Sequence, residues 1–252
     1  MSRERLEFIK VIGKTPAKLY NGTEQEMTNS RRLPKEVRLD EDLFERVKTD
    51  AKAFFLDARG SHGWDHTERV YELCLRIGRK EKADLEILRL AAVLHDIGRE
   101  QEDKSNGKVC HSRHGANLAR RILERHLFDK GQIARISHCI RTHRFRGENI
   151  PKSLEAKVLF DADKLDSIGA VGIGRAFLFA GEIGANLHDP GIDVKKTRPY
   201  TNEDTAYREF LVKLSRIKDR LFTREGKRIA AERHEFMVEF FERLNKEVIG
   251  RL

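Results

Sequence analysis

The feature that most constrains the fold is the helical spacing of apolar residues, which continues through most of the chain after residue 40. Apolar residues recur three and four positions apart, so each segment would present one apolar face to a core. No convincing alternation typical of strands appears, and the sequence therefore predicts an all-α protein built as a multi-helix bundle. The predicted helices span roughly residues 41–58, 65–80, 84–97, 112–127, 131–143, 153–164, 166–182, 204–222 and 225–248.

This pattern divides the 252 residues into four parts. Residues 1–40 are predicted to be a loosely structured N-terminal extension, because they are polar and contain many turn formers. Residues 41–182 would form the helical core. Residues 183–203 contain two prolines and several other turn formers, which predicts a long loop of the kind that often acts as a lid or binding segment. Residues 204–252 carry amphipathic helices that we expect to pack on the core, although their apolar faces could instead line a groove for a partner.

Several predicted helices end an apolar face with a side chain that can bind a metal. In the second helix, His66 lies on the same face as Val70 and Ile77. The third helix, LRLAAVLHDIG, is almost wholly apolar up to His95 and Asp96. An ionised aspartate at the end of a buried helix is costly unless something pairs with it, and a divalent cation binds carboxylate and imidazole alike. A lone buried histidine is usually a core residue, but this combination predicts a metal site.

The same placement recurs in two later helices. His143 ends an apolar face, and Asp163 lies four residues after Leu159 within the segment DADKLD. In helical bundles, inward side chains from facing helices build metal sites in this way. Three aspartates of that segment remain open as a further ligand, Asp161, Asp163 and Asp166, and the face shared with Leu159 favours Asp163.

The charge balance indicates an anionic partner. Lys and Arg number 50 against 41 Asp and Glu, a net charge of +9, which suits phosphorylated small molecules, nucleic acid or acidic lipid without choosing among them. Three cysteines without a CxxC spacing argue against a disulfide framework, and the N-terminus lacks an apolar signal core, so we expect a cytoplasmic protein. The longest apolar stretch, 169–187, is interrupted by Arg175 and Glu182, which favours a buried helix over a membrane span.

At these residues the sequence resembles the HD-domain superfamily of metal-dependent phosphohydrolases. The family pattern is a histidine, a later His-Asp doublet and a later aspartate. These correspond to His66 in HGWDHTERVY, His95 and Asp96 in AAVLHDIGRE, and Asp163 in VLFDADKLDSIGA. The resemblance extends from about residue 57 to residue 174, and the helical tail is similar to that of small stand-alone bacterial and archaeal members. The resemblance implies an HD-domain bundle with these four residues as metal ligands in its core. It also implies hydrolysis of a phosphate ester or anhydride, with a nucleotide as the expected substrate.

Two further histidines stand at family positions. His111 lies four residues before Gly115 and Ala116, and His143 lies in IRTHRFRG. In members with two metals these histidines complete a second metal site, and in members with one metal they line the substrate phosphate. The resemblance leaves both arrangements open. The mixed nitrogen and oxygen ligands suit Mn, Fe, Co, Ni or Zn, with Mg as a further candidate divalent ion.

The resemblance also suggests roles around the metal. Asp96, a ligand that would also touch bound water, is the candidate catalytic residue. Four basic residues near the motifs are candidates to bind the substrate phosphate, although each could equally be a solvated surface charge: Arg69, Arg99, Arg144 and Lys164. Some nucleotide-cleaving relatives carry another carboxylate shortly after the doublet that helps to activate water, and Glu100 stands in that segment here.

Two other functions compete with hydrolysis. The bundle could be a non-catalytic module that binds a nucleotide or nucleic acid, or a di-iron oxygenase, since some HD-like bundles hold two irons. The sequence has no Gly-rich phosphate loop, zinc-finger spacing or recognised nucleic-acid motif, so nucleic acid is not the favoured partner. The expected partner is a small phosphorylated substrate, a membrane partner is not expected, and the sequence specifies no oligomeric state.

Overall fold

The computed structural model describes residues 38–56, 63–105, 107–144 and 150–252, so the predicted extension at 1–40 lies almost wholly outside the described residues. The described residues form helices and no strands, which confirms the all-α prediction. Helices α1 to α7 are Glu41–Lys52, Trp64–Glu81, Leu85–Leu94, Arg99–Lys104, His111–Arg125, Lys130–Thr142 and Leu154–Leu165. Helices α8 to α10 are Gly169–Glu182, Ala206–Val212 and Arg224–Glu247, and short 3-10 helices lie at Ala53–Phe55 and Leu214–Arg220.

Helix α3 lies at the centre of the bundle, in contact with α1, α2, α5, α6 and α7. Its sequence LEILRLAAVL is apolar on nearly all sides, which allows five neighbours to bury it. The side chain of Asp84 caps its N-terminus by accepting backbone N–H groups of the first turn. The helix ends at Leu94 rather than near residue 97 as predicted, and residues 95–98 form turns. The ligand candidates His95 and Asp96 therefore lie directly after the end of the central helix.

The C-terminal helices pack on one side of this bundle. Helix α10 contacts α8, α7 and α2, and α9 contacts α8. Between α8 and α9, residues 183–205 form turns and bends. The apolar face of α10 buries Met237 and Phe241, and the ring of Phe241 stacks on that of Phe210 with centroids 4.8 Å apart. Aromatic burial of this kind attaches the last two helices to the rest of the molecule.

The prediction of a single helix over residues 204–222 is wrong. Helix α9 ends at Val212, Lys213 has φ −136° and ψ −56°, and a 3-10 helix follows. Leu214 and Ile217 are both buried there. A 3-10 helix has three residues per turn, so these two side chains lie on one side, and the 3–4 apolar spacing of the sequence fits this geometry as well as an α-helix.

None of the helices within the described ranges is long and apolar enough to cross a membrane. The apolar stretch that begins at residue 169 forms α8, which buries Ile173, Ala176 and Ala180 against its neighbours. The packing agrees with the prediction of a buried helix for this segment.

Candidate metal centre

The start of α2 and the end of α3 bring three predicted residues together in the middle of the bundle. His66 lies in the first turn of α2, and His95 and Asp96 follow α3 directly; none is more than 1% exposed. The Nε2 atoms of His66 and His95 are 3.3 Å apart, and Asp96 Oδ2 lies 3.8 Å from each. Asp163 Oδ1, from α7, lies 3.4 Å from His66 Nε2. We call these four residues the first half-site.

Asp96 also faces the two further histidines. Its Oδ1 lies 3.3 Å from His143 Nε2 and 3.7 Å from His111 Nε2, and these two nitrogens are 3.2 Å apart. All three side chains are buried. We call Asp96, His111 and His143 the second half-site. Asp96 thus lies between the half-sites with one oxygen directed to each.

Two glycines allow His111 to reach this cluster. A Cβ on Gly98 would lie 2.4 Å from the His111 carbonyl oxygen and 2.6 Å from the Gly115 nitrogen, and a Cβ on Gly115 would lie 3.3 Å from the Gly98 nitrogen. Because neither residue has a Cβ, the first turn of α5 packs directly on the turn that follows Asp96. This close contact between two backbones carries the first residue of α5 into the centre.

Two of the histidines are oriented by backbone carbonyl groups. His95 Nδ1 donates to Ala92 O at 2.7 Å, and His143 Nδ1 donates to Ile140 O at 2.6 Å. A carbonyl oxygen can only accept, so Nδ1 must carry the proton in both rings. In each case the acceptor is the residue three positions earlier, within the final turn of the helix that the histidine ends.

The other two histidines are oriented by carboxylates. His66 Nδ1 donates to Asp166 Oδ2 at 2.8 Å, and His111 Nδ1 forms a short hydrogen bond with Glu102 Oε2. Burial by itself would raise the pKa of Asp166, but hydrogen bonds from His66 and Arg69 outweigh it and lower that pKa. An ionised carboxylate is a pure acceptor, so Nδ1 carries the proton in these rings as well.

In each half-site two Nε2 atoms consequently face each other, and neither carries a hydrogen while its ring is neutral. Burial lowers the pKa of His95 to about 4 and the pKa of His111 to about 2, which keeps both rings neutral. Burial acts in the same direction on His66, but hydrogen bonds to Asp163 and Asp166 outweigh it and raise its pKa. Acceptors that face acceptors at 3.2 and 3.3 Å repel, so each nitrogen pair needs a cation between its atoms, either a proton or a metal ion.

The donor set fits a divalent metal ion in each half-site. Two nitrogens that are each ~2.1 Å from one ion lie about 3.0–3.4 Å apart, depending on the bond angle, and both observed Nε2 separations fall in that range. Each ring also has the outer hydrogen bond on Nδ1 that metal-bound histidines almost always have. Neutral imidazoles combined with carboxylates suit a transition metal or Mg rather than a thiolate-selective ion.

The structure separates the three aspartates of the DADKLD segment. Burial opposes ionisation of Asp163, but Lys164 and His66 outweigh it, and its pKa lies well below the usual range. Asp161 points elsewhere and accepts the backbone N–H of Phe222 at 2.9 Å. Asp166 contacts His66 at Nδ1, on the opposite edge of the ring from the Nε2 cluster. Asp163, by contrast, places its Oδ1 atom 3.4 Å from His66 Nε2.

Two of the four candidate phosphate-binding cations contact carboxylates inside the half-sites. Lys164 Nζ lies 2.5 Å from Asp163 Oδ2, and Arg99 lies 3.3 Å from Asp96 Oδ2. The Lys164 and Arg99 side chains are partly open to solvent, with 12% and 23% of their surface exposed. They therefore lie at the edge of the cluster, within reach of an anion that approaches it.

The other two cations lie behind the histidines. Arg69 Nε donates to Asp166 Oδ1 at 2.7 Å, and Arg144 lies 3.0 Å from Glu102 Oε1. Each therefore holds a carboxylate that orients a histidine. A direct role at the substrate phosphate is less consistent with these contacts than it is for the first two cations.

Sequence reasoning missed Glu102 altogether. The neighbouring Glu100, which the resemblance singled out, pairs with Lys104 on the same short helix, whereas Glu102 is 7% exposed and reaches His111. A signal was present in the charged segment REQEDK, because residues 99 and 102 lie on one side of a helix while 100 points away from it. Nothing in the sequence shows that this side is buried.

This chain is similar to several known proteins. The HD domain pattern matches residues 63–168. The chain is similar to the protein YpgQ of Bacillus subtilis, with 36% identity over 214 residues, 82% of this chain and 94% of that protein. The crystal structure of YpgQ in complex with ADP has a TM-score of 0.63 and 32% identity, covering 83% of this chain and 96% of that one. An HD-superfamily hydrolase from Bacillus thuringiensis has a TM-score of 0.66 and 26% identity over 83% of this chain and 98% of that one.

Proposed function

Because this chain belongs to the HD-domain superfamily, we propose that it is a metal-dependent phosphohydrolase whose substrate is a nucleotide. The observation that carries the proposal is the pair of Nε2–Nε2 contacts on either side of Asp96. Hydrolases of the same superfamily among its structural relatives support the reaction class. Burying a cluster of hydrogen-bond acceptors without donors costs free energy, and packing alone gives no reason to place them there. A bound ion would offset that cost.

In this proposal the two half-sites hold one ion each. His66, His95, Asp96 and Asp163 bind the first, and Asp96, His111 and His143 bind the second. A bound divalent ion would supply Lewis-acid activation of the phosphoryl group and a lowered pKa of water. Asp96 is the catalytic residue of the proposal, because its carboxylate faces both half-sites and can orient an attacking water and hold its proton.

Lys164 and Arg99 are proposed to bind the phosphate oxygens. Both cations contact ligand carboxylates and both are partly exposed. When the carboxylates bind metal, these cations have more of their hydrogen-bonding capacity available for the substrate. A phosphoryl group that gains charge as it reacts would be stabilised by their positive charge.

A nucleotide is the proposed substrate class for two reasons. The related YpgQ has been crystallised with ADP, and a nucleotide is an anionic phosphate anhydride or ester that a chain of net charge +9 would attract. The bond cleaved is proposed to be a phosphate ester or anhydride. The comparison with YpgQ supports the ligand class and carries no information about which bond reacts.

A substrate screen with the chelated and reloaded full chain tests the proposal. Metal-free protein is supplied with Mn, Mg, Fe, Co, Ni or Zn and offered nucleoside mono-, di- and triphosphates beside simple phosphate esters. We expect metal-stimulated release of phosphate or pyrophosphate from at least one nucleotide, measured by product chromatography. Hydrolysis of simple esters alone would overturn the nucleotide assignment and leave the reaction class intact.

The alternative functions give different results in the same experiment. A non-catalytic module would bind nucleotide or nucleic acid with a salt-dependent affinity and no turnover. A di-iron oxygenase would consume oxygen with iron loaded and leave every phosphate compound intact. Either result would contradict the phosphohydrolase.

A further inference from the structure

Two carboxylates outside the Nε2 cluster perform the same task in different half-sites. Asp166 accepts from Nδ1 of His66 in the first, and Glu102 accepts from Nδ1 of His111 in the second. Each half-site therefore combines one histidine oriented by a carboxylate with one oriented by a backbone carbonyl. This pairing of a carboxylate and a carbonyl behind the histidines thus repeats from one half-site to the other, although the two carboxylates come from distant parts of the chain.

Each of these carboxylates is itself held by two arginines. Arg69 Nε and Arg175 Nη1 donate to Asp166 at 2.7 and 2.8 Å. The side chains of Arg69 and Arg175 approach from different helices, α2 and α8, so Asp166 is fixed from two sides. A carboxylate held in this way has little freedom to turn away from the imidazole it orients.

Glu102 has a comparable pair of anchors. Arg99 Nη1 lies 3.3 Å from Glu102 Oε2, and Arg144 Nη2 lies 3.0 Å from Glu102 Oε1. Arg99 also contacts Asp96, so one guanidinium joins the carboxylate between the half-sites to the carboxylate behind His111. The position of Glu102 is therefore coupled to two of the three ligands of the second half-site.

The half-sites differ in how many ligands they contribute. The first has His66, His95, Asp96 and Asp163, whereas the second has three, without a counterpart of Asp163 among the described residues. A site with fewer ligands depends more on the orientation and basicity of each one. Loss of a hydrogen bond behind one histidine should therefore be felt most in the second half-site.

We infer that Glu102 is a positioning residue that sets the affinity of the second half-site for its metal ion. Glu102 holds the proton on Nδ1 of His111, keeps the Nε2 lone pair directed at Asp96 and His143, and raises the basicity of that nitrogen. This role depends on the proposed metal site. It is assigned to Glu102, whereas the family resemblance draws attention to Glu100. Removal of such an outer partner typically weakens metal binding about 10–100-fold.

Calorimetric titration of Mn²⁺ into the metal-free full chain tests this role. Wild-type protein should bind two ions, and His143→Ala identifies the second class of sites by losing it. Glu102→Gln keeps the shape of the side chain and should weaken the second class about 10–100-fold while the first class keeps its affinity. Asp166→Asn should instead weaken the first class, because it acts behind His66.

Glu100→Gln is the matched control. It removes the same charge from the same short helix, where the Glu100 carboxylate pairs with Lys104. We expect both classes of Mn²⁺ sites to keep wild-type affinity in this variant, with an unchanged helical circular dichroism spectrum. A loss in Glu100→Gln equal to that in Glu102→Gln would mean that charge alone matters, and would overturn the positioning role.

The remaining outcomes separate this inference from the proposed function. Wild-type protein that binds no divalent ion would overturn the phosphohydrolase. Two ions in wild type with unchanged affinities in Glu102→Gln would overturn only the role of Glu102, and so would a wild-type chain that binds one ion. If Glu102→Gln fails to fold, Glu102→Asp takes its place, because its shorter side chain keeps the charge but withdraws from His111. Wild-type affinity of the second class in that variant would also overturn the inference.

Discussion

Helix α7 contributes aspartates to two buried regions that treat their polar atoms in opposite ways. At the junction with α10, the hydrogen bonds of Asp161 each join an acceptor to a donor: the carboxylate accepts from Phe222 N, Thr223 N and Thr223 Oγ1 at 2.6 to 3.2 Å. At the proposed metal centre, in contrast, two imidazole nitrogens face each other, His66 Nε2 and His95 Nε2 at 3.3 Å, with Asp163 Oδ1 3.4 Å from the first. The two carboxylates are two residues apart in one helix, so they lie about 200° apart around its axis and face different neighbours.

This difference separates structural from functional polar clusters. Matched donors and acceptors can be buried at little net cost, and they fix the arrangement of the elements they join. A Cβ on Gly226 would lie 2.5 Å from Asp161 Oδ2, which shows how closely α10 fits this carboxylate. Unmatched acceptors carry a penalty in the absence of a cation. The comparison therefore teaches that mismatch, rather than burial of polar groups alone, distinguishes the proposed metal centre.

The largest effect is expected from a substitution at the proposed metal centre. Asp163→Asn removes a proposed charged ligand of the first half-site, so we expect turnover of the proposed nucleotide substrate to fall by about 10²–10³-fold or more, with weaker binding of the first ion. Both are measured on the variant by steady-state kinetics and by Mn²⁺ calorimetry. Asp161→Asn should keep wild-type turnover. If the two variants exchanged these results, Asp161 would be the ligand.

Acidification of the metal-free chain should have the next largest effect. The pKa values of His95 and His111 are lowered to about 4 and about 2, while the unfolded chain binds protons near pH 6.5. The unfolded state then binds more protons below pH 6.5, so stability falls as the pH falls from 6.5 to 4. His95 alone corresponds to roughly 3 kcal/mol as an upper limit. His66 opposes this loss, because its raised pKa favours the folded state at low pH.

Urea denaturation with a chelator present, at several pH values between 6.5 and 4, measures this loss. In His95→Asn the fall in unfolding free energy over the same window should be smaller, because that residue no longer titrates. Equal stability at both ends of the window in the wild-type chain would contradict the neutral, lone-pair-bearing state of the metal centre.

The helical faces of the site could be predicted from sequence because they depend on local periodicity. His66 and His143 end apolar faces of α2 and α6, and both side chains are buried as that spacing requires. The family resemblance then supplied the order of the motifs. The all-α fold follows from the same periodicity, because few segments of this chain offer an alternative to a helix.

The outer partners could not be predicted, since they depend on tertiary contacts between charged residues. Asp166 reaches His66 across 100 positions, and Glu102 is buried within a segment of charges that reads as surface. With 50 basic residues in the chain, sequence cannot show that Arg69 and Arg144 contact these outer carboxylates. Which cation faces which carboxylate is decided by how α4 and α7 dock on the bundle.

The smallest effect is expected on the structural side of the comparison. In Asp161→Asn, the amide group brings an N–H donor against the donors Phe222 N or Thr223 N, so the junction loses a match that the carboxylate provides. We expect the free energy of unfolding to fall by about 1–3 kcal/mol, measured by urea denaturation, with both Mn²⁺ affinities unchanged. Asp163→Asn is the matched control, because it makes the same substitution two residues away in the same helix and should weaken the first Mn²⁺ site, which Asp161→Asn leaves unchanged. Unchanged stability of Asp161→Asn, or a weakened Mn²⁺ site in that variant, would contradict the structural role of this junction.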